Sequence, residues 1–124
     1  MKIQLEIGAG RNLIRSYGPG RIVVNQQAYG GSVIITPAEV VSDWRPRLFS
    51  DLTDADFERI IMLDPEVILL GTGRRLQFAP PSLTRPLVAA QIGFEVMDTG
   101  AACRTYNVLM SEGRRVAAAL LPIE

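Results

Sequence analysis

Pro65-Glu66-Val67-Ile68-Leu69-Leu70-Gly71-Thr72-Gly73-Arg74-Arg75 carries the strongest structural signal in the chain. An unbroken branched and apolar run between a proline and a glycine pair predicts a strand over 66–70, buried on both faces. Such strands sit in sheets that helices cover, so the flanking chain should supply helices. Upstream it does. Thr53 reads as an N-cap, Asp54, Asp56 and Glu58 place negative charge in a first turn, and Phe57, Ile60 and Ile61 form an apolar stripe. The spacing predicts a helix over 54–63, ended by Asp64-Pro65.

Downstream, the connection 71–81 exceeds the about two to six residues usual between strand and helix, opens on glycines and is basic. A helix should follow, capped by Ser82 or Thr84, with Pro86 in its first turn. Leu83, Leu87 and Ala90 form its stripe and Gly93 its stop. A short strand is expected over 94–97. Asp98-Thr99 then turns into another helix with Thr99 as N-cap, ended by Gly113. Ala102, Tyr106 and Leu109 line its inner side beside Cys103 and Met110, while Arg104, Asn107 and Ser111 share the wetter side. A last strand covers 115–121. Helices alternating with apolar strands imply an α/β fold with right-handed crossovers and a central β-sheet flanked by helices.

The first 45 residues have another character. Ile3, Leu5 and Ile7 alternate with polar residues as a short strand or arm. Strands are expected over 13–17 and 21–24, separated by Gly18-Pro19-Gly20, with a tight turn at Asn25-Gln26. The return strand, 27–35, should bend at Gly30-Gly31, and 39–44 should add one more after Thr36-Pro37. The segment 1–45 is thus expected to form an additional N-terminal antiparallel β layer. Linked through 45–50 to an α/β core over 53–121, it makes one domain of 124 residues.

Thirteen basic residues balance thirteen acidic ones, so no overall field draws nucleic acid or an anionic membrane. The absence of histidine excludes Ser-His-Asp and Cys-His catalysis and leaves almost no route to catalytic zinc. A single cysteine, Cys103, points to a reducing compartment, and on the helix it reads as a small core residue. The first residues lack the apolar core of a signal peptide and no run is long enough for a membrane span, so a cytoplasmic protein is expected. No cofactor or metal is expected: Asp51, Asp54 and Asp56 fit helix-start charges rather than a calcium loop. Tyr17, Tyr29 and Trp44 are expected in core or edge packing, although an exposed Trp44 beside Arg45 and Arg47 would suit a protein contact.

The candidate site lies at the carboxyl ends of the first and second α/β strands. Gly71, Thr72 and Gly73 could bring backbone N–H groups to an anion, with Arg74 and Arg75 clamping it. A tight turn with solvated arginines explains the same residues. The third glycine of a dinucleotide loop and the Walker lysine are both missing. Asp98 and Thr99 lie at the neighbouring strand end, as ligand contacts or as a plain helix cap.

Ser16-Tyr17-Gly18, the 65–73 stretch and Glu95-Val96-Met97-Asp98-Thr99-Gly100-Ala101-Ala102-Cys103-Arg104-Thr105-Tyr106-Asn107-Val108-Leu109 together resemble a family of uncharacterised bacterial and archaeal proteins. Its mitochondrial relative is the respiratory complex I (NADH:ubiquinone oxidoreductase) assembly factor three. The resemblance runs over about 13–121. It implies a three-layer fold with a mixed central sheet, an additional β layer and one late antiparallel strand, and it implies an assembly partner rather than a catalyst. The chain looks like a bacterial version without a transit segment. Three functional expectations follow. The first is a non-catalytic protein-binding or assembly-factor-like module using 71–81 and the start of the Thr99 helix. The second is a binder of, or enzyme acting on, a small anion between Gly71–Arg75 and Asp98–Thr99. The third is a structural subunit, monomer or homodimer, paired through an edge of the β layer.

Overall fold

A computed structural model describes residues 10–124; the strand or arm expected at Ile3–Ile7 lies outside them. In chain order the elements are β1 (Ile14–Gly18), β2 (Arg21–Val24), β3 (Gln27–Tyr29), β4 (Val33–Ile35), β5 (Val40–Val41) and a 3-10 turn (Phe49–Asp51). There follow α1 (Asp54–Ile61), β6 (Val67–Gly71), α2 (Pro81–Ala89), β7 (Gly93–Met97), α3 (Thr99–Ser111) and β8 (Val116–Leu120). β1, β2 and β3 form an antiparallel sheet in that order. The other five strands form a mixed central sheet ordered β5-β4-β8-β6-β7. β6 runs parallel to β7 and β8, whereas β4 runs antiparallel to β8 and β5.

The period of two along the central strands divides the core cleanly. Val67 and Leu69 of β6, with Val116, Ala118 and Leu120 of β8, face Tyr106, Cys103 and Met110 of α3 and Ile22 and Val24 of the small sheet. Ile68, Leu70, Ala117 and Ala119 face the opposite way, onto Phe57 and Ile60 of α1 and Leu87 of α2. Phe57 meets Phe94 edge-to-face, centroids 5.9 Å apart. Each large side chain buried here contributes roughly 1.5–3 kcal/mol. The three layers are therefore α1 and α2, the central sheet, and α3 with the small sheet.

β6 crosses through α2 to β7, and β7 crosses back through α3 to β8 beyond β6. Direction and face reverse together, which a common crossover hand requires.

Several local expectations change. Residues 27–35 form two strands in different sheets, with Gly30-Gly31 at the transfer between them, so the first 45 residues are not one β layer: β4 and β5 complete the central sheet. The strand that runs against the others in the mixed sheet is the early β4, and the late strand β8 is parallel to β6. Of the strand expected at 39–44, only Val40–Val41 forms. α2 begins earlier than expected, with Pro80 as N-cap and Pro81 first in the helix, where its missing N–H is harmless. Ser82 and Thr84 therefore lie inside the helix, as does Pro86, and Ala90 is exposed. The chain leaves α2 through Gln91 at φ 59°, and Gly93 opens β7 instead of stopping the helix. Asp98, not Thr99, caps α3.

Candidate functional site

β6 and β7 are followed by helices on opposite faces, and in open α/β sheets ligands enter at such a divergence. Here the chain itself occupies the crevice. Thr72 N–H donates to Met97 O at 2.9 Å, and Thr99 N–H donates to Gly73 O at 2.9 Å. The Thr99 hydroxyl accepts from Gly73 N–H at 2.8 Å and donates to Leu121 O at 2.7 Å. Leu121 N–H in turn donates to Gly71 O at 3.0 Å. A Cβ on Gly71 would lie 2.9 Å from Thr99 Cα, a backbone atom, so this glycine permits strand and helix to touch. Asp98 Oδ1 accepts from Ala101 N–H at 2.9 Å as the α3 cap. The Tyr17 ring packs over Gly100, where a Cβ would meet Cε1 at 2.9 Å, and Arg104 donates to the Tyr17 hydroxyl.

The candidate residues consequently fall into two groups. Gly71, Asp98 and Thr99 belong to this closed junction. Thr72 and Gly73 take part in the junction and, with Arg74 and Arg75, also border an adjoining open groove of about 560 Å³, shared with Arg47, Leu48, Leu76, Leu121 and Glu124. The turn that carries the arginines is tied down: the Thr72 hydroxyl donates to Arg75 O and accepts from Gln77 N–H at 3.1 Å. Gly73 sits at φ +99°, and its absent Cβ leaves room for Pro122 O, which would otherwise lie 3.2 Å away. Arg74 and Arg75 are exposed and form no ion pair among the described residues. Arg47 lies 3.6 Å from Glu124.

Apolar surface adjoins this charge. Leu48 is 53% exposed, Leu76 47% and Phe78 75%, the last two in the connection that the arginines open. Leu76 and Phe78 lie within the 71–81 connection expected to bind a protein but were not singled out, Arg47 was named only beside Trp44, and Leu48 was not expected. Their signal was present: apolar residues in a long loop with neither a strand nor a helix period. Trp44 is no exposed contact; it is 5% exposed, and its indole N–H donates to Asp56 O at 3.3 Å.

The titratable groups beside this framework serve structure. Burial alone would raise the Asp56 carboxyl. The Arg45 guanidinium at 2.7 Å, with the N–H and hydroxyl of Thr53, outweighs it and holds Asp56 below the usual carboxylate range. Asp51 accepts from Leu48 N–H and Arg47 N–H, which lower it in the same direction. Burial pushes the Cys103 thiol up to about 12, so it is no nucleophile near neutrality. Among the described residues no group of three or more Cys, Asp or Glu is placed to hold a metal ion, and no helix is long and apolar enough to cross a membrane.

Known proteins share this fold. Residues 14–121 match the family described as "Protein of unknown function (DUF498/DUF598)". The bovine protein named NADH dehydrogenase (ubiquinone) 1 alpha subcomplex assembly factor 3 is 37% identical over 111 residues, covering 88% of this chain and 60% of that protein. This chain thus spans only 60% of that curated relative's length. A crystal structure from Bordetella parapertussis is 44% identical with a TM-score of 0.86, over 92% of this chain and 98% of the other. A solution structure from Bordetella pertussis, described as an Mth938-like domain, is 37% identical with a TM-score of 0.82, over 92% and 87%. The match spans nearly all of the described chain, and the resemblance noted at 95–109 falls within it. The chain belongs to the DUF498/DUF598 family of proteins of unknown function, among whose relatives is the complex I assembly factor.

Proposed function

We propose that this chain is a single-domain, non-catalytic protein-binding module of the assembly-factor kind, working through the 72–80 loop and the adjoining groove rim. The observation that carries this reading is the exposure of Leu76 and Phe78 beside Arg74 and Arg75. Arginine and aromatic side chains are enriched at interface cores and among binding hot spots, whereas a lone solvated loop gains nothing from an exposed phenylalanine. The bovine relative's name supports a protein partner. The module acts in the cytoplasm, where a reducing environment suits the unpaired Cys103. It acts as a monomer or as a homodimer joined at the β3 edge.

A second reading is favoured by one observation: Arg47, Arg74 and Arg75 border the same groove, which could clamp a small anion. The two are separated by affinity capture of the tagged protein from its host, beside an Arg74→Glu, Arg75→Glu double variant. The binding-module reading expects a defined protein captured by the wild type and lost from the variant. Equal capture by both forms, or no capture by either, contradicts it and leaves the anion.

A further inference from the structure

We infer that the groove beside the 72–80 loop takes an acidic peptide segment carrying apolar side chains; this rests on the protein-binding role proposed for that loop. Charge complementarity is the first ground. The whole chain is neutral, yet this groove gathers Arg47, Arg74 and Arg75 against Glu124 alone. Two arginines elsewhere in the fold are neutralised: Arg45 pairs with Asp56 at 2.7 Å and Arg114 with Glu66 at 3.1 Å. Arg74 and Arg75 form no ion pair among the described residues. The Arg47–Glu124 pair is 3.6 Å long with both side chains more than half exposed, a contact weak enough for an incoming carboxylate to replace.

Apolar surface is the second ground. Leu48 and Leu76 line the same groove and are about half exposed, so an occupant must offer apolar groups as well as carboxylates. A small inorganic anion would satisfy the guanidinium groups and leave both leucines in water. Nucleic acid needs a wider excess of positive charge than this neutral chain carries. An extended segment alternating acidic and apolar residues meets both demands, with guanidinium groups taking carboxylates bidentately. Pre-organisation is the third ground. The Thr72 hydroxyl joins Arg75 O to Gln77 N–H and Gly73 closes on Pro122, so the arginine turn is ordered before any partner arrives.

Fluorescence anisotropy on the full chain tests this, using a labelled peptide alternating glutamate with leucine and its lysine–leucine counterpart. Saturable binding of the glutamate peptide alone is expected. The Arg74→Glu, Arg75→Glu variant should weaken it by about tenfold or more at an unchanged thermal midpoint. Equal binding of both peptides, or of neither, overturns the inference. So does displacement by millimolar inorganic phosphate as effective as by unlabelled peptide, which would make this an anion site. The underlying reading fails separately. Photo-crosslinking from position 78 in host cells gives no protein adduct if the loop binds none. An adduct together with a silent peptide assay overturns only the acidic-peptide inference.

Discussion

Thr99→Val is the perturbation that the junction at the strand ends makes most informative. Valine keeps the branched shape and removes only the hydroxyl. Gly73 N–H then loses its acceptor at 2.8 Å, and Leu121 O loses its donor at 2.7 Å. Thr99 has no exposed surface, so water cannot replace either bond. Leaving one buried polar group unpaired costs about 1–3 kcal/mol, and two together should cost about 2–4 kcal/mol here. For a chain of this length, 1 kcal/mol shifts the thermal midpoint by roughly 3–5 °C, so the midpoint should fall by roughly 6–20 °C. Thr99→Ser keeps both bonds and loses one methyl, about 1 kcal/mol. Urea and thermal denaturation followed by circular dichroism measure both variants, with an unchanged urea slope marking an unaltered unfolded state. A valine variant within about 0.5 kcal/mol of wild type would refute the role given to the hydroxyl, as would a serine variant equally impaired.

Other consequences are equally concrete. Asp56 is held below its ordinary range, so the unfolded chain takes up its proton at higher pH than the folded one. Its contribution is complete above the unfolded value of about 3.9 and is lost as pH falls through the lowered native value. Asp56→Asn should flatten that acid limb of a stability–pH curve; an unchanged limb would contradict the assignment. Cys103, buried and pushed up to about 12, should resist iodoacetamide at pH 8 in the native protein and react in urea, as mass spectrometry would show. The Asn107 amide accepts from Ile14 N–H at 2.9 Å and donates to Ile14 O at 2.8 Å, tying β1 to α3 as another strand would. Asn107→Ala should cost about 1–3 kcal/mol and speed hydrogen exchange in the β1–β3 sheet more than in β6, and uniform acceleration would speak against this tether.

Locally encoded elements were legible and globally encoded ones were not. α1 could be read because its cap, first-turn acids and apolar stripe all lie within a few residues. β6 could be read because burial on both faces leaves only apolar residues to choose from. Residues 27–35 looked like one strand because a bend and a change of sheet leave the same glycine pair. What separates β4 from β3 is pairing with β8 at the other end of the chain, a contact with no local signal. Likewise Asp98 and Thr99 can both cap a helix. Thr99 is drawn inward by Gly73 and Leu121, leaving the cap to Asp98. The candidate site divides for the same reason. Glycines fit for cradling an anion proved, at Gly71, to be fit for touching Thr99, whereas the arginine turn was locally visible and the groove needed Arg47 and Leu48 from the distant linker.

If the 72–80 loop meets another protein, a photo-reactive benzoylphenylalanine at position 78 will capture it. It would be introduced into the protein in its own host, beside the same group at exposed Glu112, and irradiated in living cells. A discrete adduct of defined mass is expected from position 78, absent from position 112 and diminished by Arg74→Glu with Arg75→Glu. Identical patterns from both positions, or no adduct from position 78, would contradict it.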